Sequence, residues 1–319
     1  MPKATQPAAA TRAQVIGGVL NFLSGQDLLA IAEIRHALER EIDEAGSEAL
    51  LALRDRLTSE AGWGYYPPDP LARRIHHVLA DRFLEAESQV LGSEHLQGIV
   101  STPVAIFSNH LSYADANVID VLLERSGAAS LACRLTAVAG PKVFTSRERR
   151  FSSLCFGTIK VPQSAEVSSE EAVLNPRDVA RAARQSIDAA RARLRHGDAL
   201  LLFGEGTRSR TGAMHAMLAG VARYLDAADA WVLPVGLTGS EALFPLGDAT
   251  IHPSRPALRI GQPFRADALL ARADGDRRLA MDVIGVAIAA VLPLSYRGVY
   301  GQNHEDARRI HAELIGQST

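Results

Sequence analysis

The chain has 319 residues, 47% hydrophobic and 22% charged, the composition of a folded globular protein long enough to bury an extended core. A formal net charge of −2 gives no overall pull on nucleic acid, so any anionic ligand must be met by a local cluster of bases. The longest apolar runs, 15–23 and 283–294, are interrupted at Asn21 and Pro293 and fall short of the ~20 residues a membrane-spanning helix needs.

Residues 1–12 are rich in Ala, Thr and Pro without periodicity and read as a frayed start. From 12 to 91 the pattern is helical: Leu28, Leu29, Ile31, Ala32, Ile34 and Leu38 recur at helix spacing, 47–57 repeats the pattern, and Pro67-Pro68-Asp69-Pro70 marks a turn before a further helix. No strand-like run interrupts this stretch, which predicts an N-terminal helical subdomain over 1–97. Val15, Val19, Phe22 and Leu23 form an apolar stripe that either packs inside that unit or anchors it peripherally and reversibly to a lipid surface. No small-residue cleavage site follows them. Cys133 and Cys155 lack the C-x-x-C spacing of a redox pair or of zinc ligands and read as small buried hydrophobes. The expected location is the cytoplasm, with any membrane contact peripheral at the inner surface.

Inside the helix predicted from Pro70 onward, His76 precedes Asp81 by five positions, an advance of roughly 140° that points the two side chains apart. The same spacing recurs in Phe107-Ser108-Asn109-His110-Leu111-Ser112-Tyr113-Ala114-Asp115 in a different setting. Residues 104–107 read as a buried strand and Asp115 opens an amphipathic helix, so His110 lies in the connecting loop, where irregular backbone can turn its imidazole toward Asp115. A His–Asp pair of that kind can deprotonate an alcohol.

Beyond residue 98 short apolar runs at 104–107, 131–138, 158–161, 199–203, 231–237 and 258–260 alternate with helical stretches. They predict an α/β domain over 98–319, a mixed sheet flanked by helices, with loops gathered at one sheet edge. Asn175-Pro176 and Gly197 bracket a helix whose Arg177, Arg181, Arg184, Arg191 and Arg195 share a face, either simply solvated or docking an acidic carrier protein or anionic lipid heads. After the 199–203 run comes Gly204-Glu205-Gly206-Thr207-Arg208-Ser209-Arg210. Its glycines allow close backbone approach, and its arginines can offer forked donors to a phosphate or carboxylate. Glu205 is expected to accept from a substrate hydroxyl or to hold Arg208; taken alone, the segment is equally a surface turn with an ion pair.

Together these segments carry a resemblance. Asn109-His110-x4-Asp115 followed by Phe203-Gly204-Glu205-Gly206-Thr207-Arg208-Ser209 resembles the first and third blocks of the glycerolipid acyltransferase family, which includes glycerol-3-phosphate and 1-acylglycerol-3-phosphate acyltransferases. Gly157-Thr158-Ile159-Lys160-Val161-Pro162-Gln163 and Val232-Leu233-Pro234-Val235-Gly236-Leu237 are similar to the second and fourth. Two positions depart from the family pattern: Gly204 stands where proline is usual, and Gln163 where an arginine associated with acceptor phosphate is frequent. Lys142, Lys160, Arg208 and Arg210 are the bases left to supply that charge.

The resemblance implies an O-acyltransferase moving an acyl chain from acyl-CoA or acyl-carrier protein to the hydroxyl of glycerol-3-phosphate or a lysophospholipid. His110 would be the general base and Asp115 its orienting partner, while Glu205, Gly206, Thr207, Arg208, Arg210 and Lys160 would bind an anionic acceptor. The thioester is a co-substrate; no cofactor, metal ion or nucleic-acid partner is expected, because the histidines lack metal-ligand spacing. A G-x-S-x-G elbow is absent, which argues against a serine hydrolase of the α/β type. Two alternatives remain at this stage: an acyltransferase for a non-phosphorylated hydroxyl, suggested by Gln163, and a non-catalytic lipid or acyl-carrier binding protein on the same scaffold.

Overall fold

The N-terminal helices form where apolar residues recur every three or four positions. α1 (Thr5–Leu20) buries Val15, Ile16 and Val19 against α2 (Leu28–Thr58), which offers Ile34, Leu38 and Ile42 in an i, i+4, i+8 stripe. α2 is broken at Gly46, whose φ of 82° suits glycine, so its second half is a separate helical segment. α3 (Pro70–Phe83) starts where Asp69 accepts hydrogen bonds from the Leu71 and Ala72 amides, both 3.0 Å, with proline at the first helical position. The computed structural model describes residues 5–23, 28–59, 62–145, 147–162, 176–226, 229–245, 247–248 and 250–316.

Among the described residues nine strands make one mixed sheet: β1 (Gly64–Tyr66), β2 (Gln89–Leu91), β3 (Val104–Ser108), β4 (Leu135–Ala139), β5 (Gly157–Lys160), β6 (Ala199–Phe203), β7 (Trp231–Thr238), β8 (Ala257–Ile260) and β9 (Phe264–Arg265). Their order is β1-β5-β4-β6-β3-β7-β8-β2, with β9 beside β7. The four central strands β4, β6, β3 and β7 run parallel, while β1 pairs antiparallel with β5, β8 and β9 pair antiparallel with β7, and β2 pairs parallel with β8. Alternate residues of the central strands feed two core layers. Val104, Ile106, Leu201, Leu233 and Val235 join the N-terminal helices and α4 (Asp115–Arg125) on one face. Ala105, Phe107, Leu200, Leu202 and Val232 join α7 (Pro176–His196) and α9 (Arg277–Val291) on the other. Coverage on both faces is why β3 and β6 read as continuous apolar runs rather than alternating ones. The remaining helices are α5 (Ala129–Ala132), α6 (Arg147–Leu154), α8 (Ala266–Arg272) and α10 (Glu305–Gly316).

The mixed α/β sheet with leading helices agrees with the sequence reading, and three local expectations need correcting. First, residues before 98 are not helical throughout: β1 pairs with β5 and β2 with β8, each a three-residue strand too short to leave a periodic signature. Second, the run 131–138 is a strand only from Leu135; Leu131 and Ala132 close α5, and the guanidinium of Arg134 binds the Ser130, Val100 and Thr102 carbonyls at the break. Cys133 at that turn is exposed, whereas Cys155 is buried, and burial pushes its thiol pKa well up. Third, Val15, Val19 and Leu23 belong to the core and cannot anchor the chain to lipid; the Phe22 side chain lies outside the described residues. The exposed apolar pair nearby is Leu28 and Leu29. On α7, Asp178 pairs with Arg181 and Asp226 with Arg191, so the arginine face carries its own counter-ions; Asn175, its expected cap, lies outside the described residues. Among the described residues no helix is long and apolar enough to cross a membrane.

Candidate active site

Parallel pairing sets Ser108 of β3 opposite Phe203 of β6 and Val235 of β7. The loops leaving the carboxyl ends of β3 and β6 are therefore neighbours, and the two constellations separated by nearly a hundred residues meet at one sheet edge, where open α/β sheets hold their ligands. Asn109 extends the pairing past the strand end: its amide donates to the Leu237 carbonyl at 2.9 Å and accepts from the Leu237 amide at 2.8 Å. The Ser209 amide donates to the His110 carbonyl at 2.7 Å, tying the second loop to the first.

His110 Nδ1 lies 2.8 Å from Asp115 Oδ2. That oxygen also accepts from the Leu111 and Ser112 amides at 2.6 and 2.9 Å, and Oδ1 accepts from Ser240 Oγ at 2.6 Å. Asp115 is wholly buried at the first residue of α4, where the helix dipole favours a carboxylate. A carboxylate surrounded by donors can only accept, so Nδ1 carries a proton, and in the neutral ring the lone pair is then on Nε2. The ring is stacked on Phe203, centroids 4.2 Å apart and planes 19° from parallel, which fixes the direction of Nε2. His76 has no such geometry. It is buried in α3, where loss of hydration pushes its pKa down to about 4, and it faces Asp120 of α4; Asp81 points outward and pairs with Arg125 at 3.0 Å.

Of the two roles expected for Glu205, holding Arg208 is not found. The residue is 3% exposed, and its oxygens accept from the His110 amide at 2.9 Å and the His215 amide at 2.7 Å, bracing the backbone on either side of the β6 turn. Burial pushes its carboxyl up to about 7 against the opposing effect of those two amides, with the Asp115 charge adding to the rise. Gly206 takes φ +70° in the turn, and a Cβ there would lie 2.4 Å from Leu218 Cδ1. At Gly204 a Cβ would lie 2.4 Å from Met217 Sδ, so this buried methionine fills the space a side chain would occupy at the position where the family pattern has proline.

Arg208 lays its guanidinium 3.5 Å above the Tyr113 ring, and Arg149 of α6 approaches the same ring at 4.4 Å. Among the described residues Arg208 makes no ion pair. Arg208, Arg149 and Tyr113 all line a cleft of 680 Å³ that continues between apolar walls including Leu79, Phe83, Val118, Phe151 and Ile251. Thr207 is exposed in the turn; Arg210 is exposed and lies outside the lining of this cleft. Lys160 is also outside it, its amine held over the Trp63 and Phe144 rings, where burial lowers its pKa. Gln163 lies outside the described residues. Tyr113, Arg149 and Ser240 were not singled out from sequence. Tyr113 sits within the His-x4-Asp interval and was legible there, whereas Arg149 and Ser240 reach the site only through the packing of α6 and the end of β7.

The family model described as Acyltransferase matches residues 87–238, from just before β2 to the end of β7, and so contains both loops. No curated protein sequence matches the chain significantly. Among solved structures the chain is similar to a 1-acyl-sn-glycerophosphate (LPA) acyltransferase, PlsC, from Thermotoga maritima, at 18% identity and a TM-score of 0.45, over 88% of this chain and 96% of that one. The region that matches the acyltransferase family model, residues 87–238, holds both the His110 and the Glu205 loops, and the enzyme is an acyltransferase.

Proposed function

We propose that the enzyme transfers an acyl chain from a thioester, acyl-CoA or acyl-carrier protein, to the hydroxyl of an anionic acceptor of the glycerol-3-phosphate or lysophospholipid class. The observation that carries this reading is a histidine with Nδ1 bound to a buried aspartate and Nε2 left as a lone pair, on a loop whose Tyr113 lines an apolar cleft together with two arginines. The acceptor hydroxyl gives its proton to His110 Nε2 as its oxygen attacks the thioester carbon. Asp115 stabilises the imidazolium so formed. Collapse of the tetrahedral adduct breaks the carbon–sulfur bond, and the departing thiolate takes the proton from the imidazolium. No enzyme nucleophile is needed, because the acceptor's own oxygen attacks; general-base assistance of this kind is worth about 10²- to 10⁴-fold.

Arg208 and Arg149 supply forked donors for the acceptor's phosphate, and the apolar walls take the chain, at about 0.8 kcal/mol per buried methylene. Glu205, Gly206 and Thr207 shape the loop that presents Arg208. Arg210 and Lys160 lie outside the lining of the cleft and serve the wider field. Free-thiol release from acyl-CoA and acyl-carrier protein, measured with glycerol-3-phosphate, lysophosphatidate and neutral alcohols, tests the reading. Faster release with a neutral alcohol than with either phosphate would transfer the assignment to a non-phosphorylated acceptor. Peripheral lipid contact is assigned to Leu28 and Leu29, 83% and 78% exposed. Sedimentation with anionic vesicles that is unchanged by Leu28→Glu and Leu29→Glu would remove that contact.

A further inference from the structure

Where α3 packs on α4, three buried side-chain atoms that have no hydrogen-bond partner among the described residues converge: His76 Nε2, His77 Nε2 and Asp120 Oδ2. Asp120 Oδ2 lies 3.8 Å from His76 Nε2 and 3.5 Å from His77 Nε2, and the three atoms are all within 4.8 Å of one another. Glu124, one turn further along α4, places Oε2 3.6 Å from His77 Nε2. Asp120 is wholly buried and His76 is 8% exposed, so bulk water does not satisfy these atoms. The spacings are long for direct hydrogen bonds. They are close to the separation between two ligands of one tetrahedral ion, about 3.3–3.6 Å when each metal bond is about 2.0–2.2 Å.

Charge points the same way. Asp120 and Glu124 bring two carboxylates, and among the described residues the one guanidinium bound to them is that of Arg73, which engages Asp120 Oδ1 at 2.7 Å and Glu124 Oε2 at 2.9 Å. That leaves Asp120 Oδ2 unused and one negative charge uncompensated. Two imidazoles with a carboxylate suit a borderline metal; magnesium and calcium prefer oxygen ligands alone. We propose that His76, His77 and Asp120 bind one divalent transition-metal ion of the zinc class, with Glu124 closing the fourth position, and that the ion clamps α3 to α4, the helix that begins with Asp115. The half-buried rims of His77 and Glu124 give the ion its way in.

The experiment uses the full chain, stripped with a chelator and dialysed, then titrated with zinc chloride against a chromogenic competitor. One equivalent should bind, raise the thermal midpoint, and be replaceable by Co²⁺ with visible d–d bands of a four- or five-coordinate nitrogen–oxygen site. His77→Ala, whose ring is partly exposed, should fold with an unchanged far-ultraviolet spectrum and weaken zinc at least ~10²-fold. Asp120→Asn should do the same where it folds. His252→Ala, removing the exposed His252–Asp248 pair at 2.7 Å, should leave zinc affinity unchanged. Uptake of less than one equivalent by the wild type, or affinity unaltered in His77→Ala, would overturn the proposal; a buried water in place of an ion gives the first of these results.

Discussion

His110 and His76 each stand five residues before an aspartate, and their surroundings make opposite uses of them. Around His110 the backbone is irregular, so the ring swings back onto Asp115 while Glu205, Ser209 and Phe203 from the β6 loop hold it in place. Around His76 the backbone is a continuous helix, which turns Asp81 outward and aims the ring across at Asp120 on α4. A loop can thus make a local pair into a proton acceptor with one nitrogen kept available. A helix turns residues five apart away from each other, so a histidine at this spacing meets only what lies on a neighbouring element. The difference is backbone, not residue type.

The comparison breaks most sharply at His110. His110→Ala should lower acyl transfer at least ~10²-fold with the fold intact, because the amide that reaches Glu205 remains and only the base is lost. Full turnover in a folded variant, measured by thiol release, would sink the pair as the catalytic device. Asp115→Asn should follow with a loss of at least ~10-fold, together with a lower thermal midpoint. Its new NH2 group must face a donor, since the Leu111, Ser112, Ser240 and His110 groups all direct hydrogens at this carboxylate. Wild-type kcat in Asp115→Asn would mean that the ring needs no orientation.

Arg208 sharpens the loop side of the comparison. Arg208→Ala should raise the KM for the acceptor about tenfold, the size of one lost charge-assisted hydrogen bond, and leave the KM for the donor nearly unchanged. Equal shifts for both substrates would move Arg208 from acceptor to general packing against Tyr113.

Much of this site was legible because its members sit close in sequence and beside recognisable strand ends. His110, Asp115 and the Gly204–Arg208 turn each follow a buried apolar run, and the parallel register of β3 with β6 puts both loops at one edge. What could not be read depends on contacts between distant segments. Glu205 carries no sequence mark of being a brace rather than a ligand group; only the return of His215 to its second oxygen shows it. β1 and β2 are three residues each, with no room for a period of two to register. The His76, His77 and Asp120 cluster spans 44 positions and two helices, so metal-ligand spacing along the chain never reveals it.

Glu205 offers a quieter test of the brace. Its carboxyl is pushed up to about 7 in the fold from an ordinary 4.5, so the folded state keeps this proton to higher pH than the unfolded chain does. The contribution is complete below about pH 4.5 and is lost as pH rises through about 7, so this group makes stability fall with pH across that window. Urea unfolding at pH 5 and at pH 7 should show that fall in the wild type and a flatter dependence in Glu205→Gln, which does not titrate. An unchanged slope in the variant would mean that Glu205 ionises freely in the fold.

The smallest effect is expected at Asp81, and it closes the comparison from the other side. Its side chain is 77% exposed, and its ion pair with Arg125, at 3.0 Å, joins α3 to α4 at the surface. Arg125 also reaches the Ala80 and Leu84 carbonyls at 3.4 Å, so it keeps those contacts when the carboxylate is removed. Exposed pairs of this kind are worth about 0.2–1 kcal/mol, and a surface substitution away from the site leaves turnover within ~2-fold. Asp81→Asn should therefore give wild-type thiol release while Asp115→Asn, the identical chemical change at the identical spacing from a histidine, does not. Matching losses in the two variants would show that spacing alone confers function, and the distinction drawn between loop and helix would fail.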